Sequence, residues 1–299
     1  MEQYTRTDLA CESVAEFQGN IEGAEWKTRT VGTVEIQSLK IISEEATRKI
    51  GKPKGIYVTF HCGNIAQITS ESERFLIRLL AGELRGMTER MTGKKIDSEL
   101  NVFVAGLGNS ELTADAIGPK TASRLTTTRH LREHEESLYK AVGCCALSAL
   151  APGVLGQTGI ETLEILRGAI RYVKPDVMIV VDALAARSCD RLASTIQLSD
   201  TGIVPGSGVG NHRDAINEET TGIPVIAIGV PTVVDSSTLV YDALHQADIK
   251  TVDRKLREVL ETGRSFFVCP KESDLVTERI SNLLARAIGF AYAEALYVD

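Results

Sequence analysis

The chain has 299 residues, 43% of them hydrophobic and 24% charged, and its excess of Asp and Glu gives a formal net charge of −7. That length supplies a real core and either one large domain or two modest ones. An acidic balance with no tract of Lys and Arg excludes an electrostatic grip on phosphate backbones, so neither nucleic acid nor a membrane surface is an expected direct partner.

In chain order, MEQYTRTDLACE at 1–12 lacks the apolar stretch of a signal peptide, and residues 1–25 read as a polar arm. VGTVEIQSLKII at 31–42 alternates like a strand and GIYVTFHC at 55–62 reads as its partner. The apolar spacing of Phe75, Leu76, Leu79, Leu80 and Leu84 predicts a helix over 70–90, with Ser70 or Ser72 as its cap. NVFVAGLGN at 101–109 is a strand entering a glycine turn, and 114–133 reads as a loop leading into a helix. The uncharged run 141–160 reaches membrane-spanning length, but its glycines and Pro152 suit a buried strand and loop.

ETLEILRGAIRYV at 161–173 is an amphipathic helix stopped before Pro175, and DVMIVVDAL at 176–184 is a strand apolar enough to be covered on both faces. STIQLSD at 194–200 and IPVIAIGVP at 223–231 are further strands, and 237–246, 253–261 and 273–296 are helices. Strands alternating with helices predict an α/β fold: a mostly parallel twisted sheet wrapped by helices, with a small β-rich N-terminal part. No linker is evident, so residues 1–299 are expected to form one domain. The six cysteines (11, 62, 144, 145, 189 and 269) contain no C-x-x-C pair and are expected to be thiols in a reducing cytoplasm.

In such sheets, ligands meet the loops beyond the carboxyl ends of the strands. Two strands deliver aspartates there. Asp182 ends VMIVVD and is expected at the strand's open end, where loop and water meet it, while Asp115 follows the glycine turn after NVFVAGLG. Each alone would suit a helix cap or a loop salt bridge. As neighbours they form a close carboxylate pair, in which one pKa rises and which can activate a water or hold a cation.

The segment 199–232 is glycine-rich and suits the lining of a cleft. PGSGVGN at 205–211 resembles a phosphate cradle but fits neither the P-loop pattern nor the third glycine of a dinucleotide fingerprint, which leaves a nucleotide-binding module as an alternative. Asp200-Thr201-Gly202 reproduces the triplet of pepsin-like proteases, which are all-β, and in this βα chain is expected to be a structural turn. Candidate metal ligands are Asp115, Asp182 and His212, without a strong ligand spacing. His61, His130, His134 and His245 are expected on the surface or in the core. No G-x-S-x-G elbow occurs.

RTDLACE at 6–12, GLGN…TADAIGP at 106–119, PGVLGQTGIET at 152–162, VVDALAARS at 180–188 and SDTGIVPGSGVGN at 199–211 together resemble the germination (spore) protease family over nearly the whole chain. The resemblance implies a fold akin to hydrogenase maturation proteases and an endopeptidase that degrades small acid-soluble spore proteins in germination. It further implies a homotetrameric precursor, resident in the forespore and spore core, that matures by losing a short propeptide. It places the two catalytic aspartates on Asp115 and Asp182. Ala114 stands where proline is expected and Gly156 where alanine is common.

Family substrates are cut after an acidic residue and before a large apolar one, and the Asp8–Leu9 bond offers that pair, so residues 1–8 are the expected propeptide. Asn109, Arg187 and Asn211 are expected to position substrate, with a structural ion pair equally open for Arg187. A divalent metal held by Asp115 and Asp182, as in a metallopeptidase of the hydrogenase-maturation type, stands as an alternative.

Overall fold

The computed structural model describes residues 7–15, 17, 21–206, 213–249, 253–261 and 266–297. Its first half contains α1 (Ala10–Ala15), β1 (Ala24–Val31), β2 (Val34–Ile41), α2 (Glu44–Ile50), β3 (Gly55–His61), α3 (Ser70–Thr92), β4 (Asn101–Gly106), α4 (Ile117–Ser123), α5 (Arg129–His134), α6 (Glu136–Val142) and β5 (Ala146–Leu150). The second half contains α7 (Leu155–Thr158), α8 (Thr162–Val173), β6 (Val177–Ala186), β7 (Thr195–Ser199), α9 (Glu218–Thr221), β8 (Val225–Asp235), α10 (Ser236–Gln246), α11 (Arg254–Glu261), β9 (Phe267–Val268) and α12 (Ser273–Tyr292).

The strands join in one mixed sheet of order β1-β2-β3-β7-β8-β6-β4-β5, with β9 added to β8. The pairs β8·β6, β6·β4 and β4·β5 are parallel, and this is the helix-wrapped part that the sequence predicts. The expected β-rich N-terminal part continues the same sheet, antiparallel, as β1, β2 and β3 joined through β7.

Strand alternation assigns the two faces. Val102, Val104, Val177, Ile179 and Val181 pack with Leu76, Leu80 and Leu84 of α3 and Ile280, Leu284 and Ile288 of α12. Phe103, Ala105, Met178 and Val180 pack on the other face with Leu163 and Leu166 of α8. By this parity Asp182 belongs with Met178 and Val180.

Local chemistry sets where several elements begin and end. The cap of α3 is Thr69 rather than either serine, its hydroxyl accepting the Ser72 N–H at 3.2 Å, and Gly93 closes the helix in the left-handed region. The helix expected within 114–133 is two short ones, α4 and α5. Thr128 Oγ1 donates to the Cys145 carbonyl at 2.5 Å and accepts the Leu147 N–H at 2.9 Å, so the chain is pinned to β5 between them.

The polar arm departs furthest from its sequence reading. Leu9 and Ala10 are fully buried, and Cys11, Glu12 and Val14 nearly so. Residues 7–15 are thus integral to the fold. The six cysteines are free thiols, and no helix among the described residues is long and apolar enough to cross a membrane.

Candidate active site

Asp182 lies within β6 rather than at its end, because β6 runs four residues further, paired with β8 through Ala186 and Val234. Its other neighbour stops sooner: β4 ends at Gly106 opposite Val181, and Leu107 N–H takes the Val181 carbonyl at 2.8 Å. The strand edge is therefore vacated on one side just where the carboxylate appears. Asp182 is 4% exposed, not solvent-met as expected, and its Oδ1 accepts the Ala183 N–H at 2.9 Å.

Asp115 comes from the turn after β4. Its Oδ2 accepts the Asn109 N–H at 2.7 Å, and its own N–H donates to Leu112 at 2.8 Å. The turn is tied down from outside, since Thr232 Oγ1 donates to the Ala114 carbonyl at 2.7 Å and Thr277 Oγ1 to the Thr113 carbonyl at 3.1 Å.

Two glycines make the approach possible. At Gly108 φ is +109°, and a Cβ there would meet Asp115 O at 2.1 Å and its carboxylate at 2.9 Å. At Gly118 a Cβ would meet the Leu107 and Val181 carbonyls at 2.2 and 2.4 Å, so only glycine lets α4 rest on the two strand ends.

Asp115 and Asp182 line one cleft of about 470 Å³ with Asp8, Leu107, Gly108 and Arg213. Burial raises the pKa of Asp115, opposed by the Asn109 N–H and the Arg213 charge. Asp182 is raised well above the ordinary range, first by burial and then by the charges of Asp115 and Asp8, with the Ala183 N–H and Arg213 opposing. The structure therefore places the two predicted aspartates in one cleft, where the Asp115 charge helps to raise Asp182. In such a pair the deeper carboxyl keeps its proton when the other has lost it.

The edge of β6 that β4 vacates is occupied by the chain's own N-terminal segment. Asp8 N–H donates to the Ala185 carbonyl at 2.9 Å, and Ala185 N–H donates to Asp8 Oδ2 at 2.9 Å. One backbone hydrogen bond and one to the Asp8 carboxylate thus dock the segment against the sheet edge. Downstream, Leu9 fills an apolar socket with Leu184, Ala186 and Val234, and Ala10 N–H donates to Gln197 Oε1 at 2.7 Å. Glu12 accepts the Arg187 and Ser188 N–H groups at 2.8 and 3.0 Å and also the Thr7 hydroxyl.

The other sequence candidates divide. Asn109 steadies the site, its N–H on Asp115 and its Oδ1 accepting from Glu111 N–H and Gln157 Nε2. The Arg187 backbone holds Glu12, and the residue does not line the cleft. Asn211 and His212, with most of PGSGVGN, lie outside the described residues. Asp200 Oδ1 accepts the Ile56 N–H at 2.7 Å, a strand-end bond that gives the DTG triplet a structural role.

Sequence reasoning missed Arg213, Glu12 and Lys52. The first follows the glycine-rich loop as its nearest cation, which was a usable signal. The other two sit in no pattern that spacing reveals.

A metal ion held as in related enzymes would need about three protein ligands. Among the described residues no group of three His, Cys, Asp or Glu side chains is placed to hold one. His212, the third candidate ligand, lies outside the described residues, so a metal held by Asp115 and Asp182 stays an alternative.

A family model described as germination protease matches residues 5–258. Proteins named germination protease from Clostridium acetobutylicum (36% identity, 97% of this chain and 96% of that one) and Clostridium tetani (34%, 98% and 97%) align almost end to end. One from Bacillus cytotoxicus is 39% identical over 97% of this chain and 81% of its own length. A solved [NiFe] hydrogenase maturation protease, HycI from Thermococcus kodakarensis KOD1, overlaps 64% of this chain and 93% of its own at 19% identity and a TM-score of 0.34, too low to carry a structural conclusion.

These matches on an α/β scaffold make the chain a peptidase, a hydrolase of peptide bonds. It belongs to the germination protease family and is an endopeptidase of spore germination.

Proposed function

We propose that Asp115 and Asp182 form the catalytic pair and share one proton. Asp182, the more deeply buried, keeps it as the general acid, and Asp115, whose carboxylate accepts the Asn109 N–H and feels the Arg213 charge, is the ionised base. The base takes a proton from a water as that water adds to the scissile carbonyl. The acid protonates the departing nitrogen.

The observation that carries this reading is the placement of Asp8. The acidic residue of an acidic–apolar bond is tied to Ala185 of β6 by its backbone N–H and its carboxylate, in the cleft that Asp115 and Asp182 line. The Ala185 N–H on its carboxylate supports a preference for an acidic residue before the cut, and the Leu9 socket supports a large apolar residue after it. The substrates proposed are small acid-soluble spore proteins. The chain is proposed to be a zymogen that cuts its own Asp8–Leu9 bond in the spore core.

The assembly proposed is a homotetramer. Val259 (71% exposed) and Phe266 (60%), with Phe267 and Val268 beside them in sequence, are apolar side chains that support self-association. Light scattering of the purified chain reads the subunit number directly.

The deciding experiment assays Asp115→Asn and Asp182→Asn separately, for self-cleavage by intact mass and for hydrolysis of an acidic–apolar peptide. Loss of both activities in folded protein, with Leu9 as the wild-type's new amino terminus, supports the reading. Folded variants with full activity remove the site.

A further inference from the structure

Residue 8 is held from two sides. One side is the cleft with Asp115 and Asp182; the other is a second cavity of about 440 Å³ lined by Thr7, Asp8, Lys52, Tyr57 and Gln197. On that second side the carbonyl oxygen of Asp8, the acyl oxygen of the Asp8–Leu9 bond, accepts Lys52 Nζ at 3.0 Å and Gln197 Nε2 at 3.4 Å. Lys52 also reaches the Thr7 carbonyl at 3.3 Å.

Neither donor is there by accident of a flexible surface chain. Lys52 follows Gly51, whose left-handed backbone ends α2 and turns the chain toward the N-terminal segment. Gln197 stands in β7, and the Ala10 N–H fixes its Oε1, which leaves its NH₂ for Asp8. The ammonium's surroundings are dry enough that burial lowers its pKa, with Asp8 and Glu12 opposing.

We propose that Lys52, assisted by Gln197, is the oxyanion-binding group for cleavage of the Asp8–Leu9 bond. The proposal rests on the aspartate-pair reading and on that bond being the one cut in maturation. Water adds to the Asp8 carbonyl carbon from the aspartate side, one of its protons passes to the ionised aspartate, and the π pair moves onto the carbonyl oxygen facing Lys52. The ammonium meets the new negative charge at an oxygen it already holds, without reorganisation, which is the condition under which a donor of this kind is most effective. Collapse of the adduct breaks the Asp8 C–Leu9 N bond, and the nitrogen takes its proton from the protonated aspartate. Collapse leaves the Asp8 carboxylic acid and the Leu9 amine, and the acid's proton passes to the amine to give carboxylate and ammonium. One water is consumed, and the aspartate pair still holds one proton, now on the former base.

This also explains why a lysine is placed where its charge is costly. A neutral donor would satisfy the Thr7 and Asp8 carbonyls in the resting chain equally well. The Asp8 and Glu12 charges offset part of the ammonium's cost in the resting chain, and the charged intermediate adds to that offset.

The test follows the rate of self-cleavage of the full chain by intact mass, for Lys52→Met, Lys52→Gln and Lys52→Arg beside Asp182→Asn. Lys52→Met is expected to slow cleavage about 10²–10³-fold, as loss of a single oxyanion donor does. Lys52→Gln, which keeps a donor without the charge, should be nearly as slow, and Lys52→Arg should recover to within about 10-fold of wild type, because it keeps the charge. Limited proteolysis at Arg6 checks that residues 7–12 remain docked.

Wild-type rates in Lys52→Met overturn the proposal. If that variant does not fold, a wild-type rate in folded Lys52→Gln overturns it equally. An active Asp182→Asn, or a new terminus other than Leu9, would instead defeat the underlying reading, so the two failures are told apart.

Discussion

In the parallel half of the sheet, β4, β6 and β8 are buried on both faces, and Asp115 and Asp182 emerge where one strand stops before its neighbour. In the antiparallel half, the polar groups that matter lie within or beside continuous pairing: Gln197 inside β7, and Lys52 between α2 and β3. Interrupted pairing exposes an edge and a carboxylate, which suits chemistry. Continuous pairing fixes a side chain against the backbone of residues 7–12, which suits holding a peptide. The N-terminal segment bridges the halves, bonded to Ala185 on one side and to Gln197 and Lys52 on the other.

If this division is right, changes in the two halves separate activity from stability. The largest effect is expected from Asp115→Asn or Asp182→Asn, each lowering self-cleavage by about 10³-fold or more while the fold persists, read by intact mass and urea melts. Leu9→Ala should cost about 3 kcal/mol of folding stability, since a fully buried side chain leaves a cavity that the sheet cannot close. Glu12→Gln should cost about 2 kcal/mol, because the carboxylate serves two backbone donors and the Thr7 hydroxyl at once. Thr69→Ala, remote from the cleft, should cost only about 1 kcal/mol as a lost helix cap and leave cleavage unchanged. A cleavage defect in Thr69→Ala as large as that of the aspartate variants would break the comparison.

A pH series sharpens it. Asp182 binds its proton more tightly folded than unfolded, so its contribution to stability is complete below the ordinary aspartate range and is lost as pH rises through the raised pKa. Asp182→Asn should therefore be more stable than wild type at neutral pH, with the difference vanishing near pH 4. Thermal melts across that range check it, and a wild-type curve parallel to the variant's would show that Asp182 ionises freely.

Much of this was legible before any coordinates. The apolar runs at 101–106, 177–181 and 225–230 could be satisfied only by a covered sheet, and the aspartates at their ends drew attention because charge there is costly. GLGN read as a glycine turn, and Gly108 there, like Gly118 beyond it, proves to stand where a Cβ would collide. The arm misled because Thr7, Asp8 and Glu12 look polar in sequence. The partners of Asp8 and Glu12, namely Ala185, Arg187 and Ser188, lie some 175 residues away.

The sequence by itself determined the alternation of elements, the two carboxylates and the family likeness, since these depend on local periodicity and on residue types at short spacing. Only the tertiary structure decided that β4 ends short of Asp182, that residue 8 fills the vacated edge, and that Lys52 reaches its carbonyl. Those facts arise from hydrogen bonds between distant segments, whose pairing no local propensity encodes.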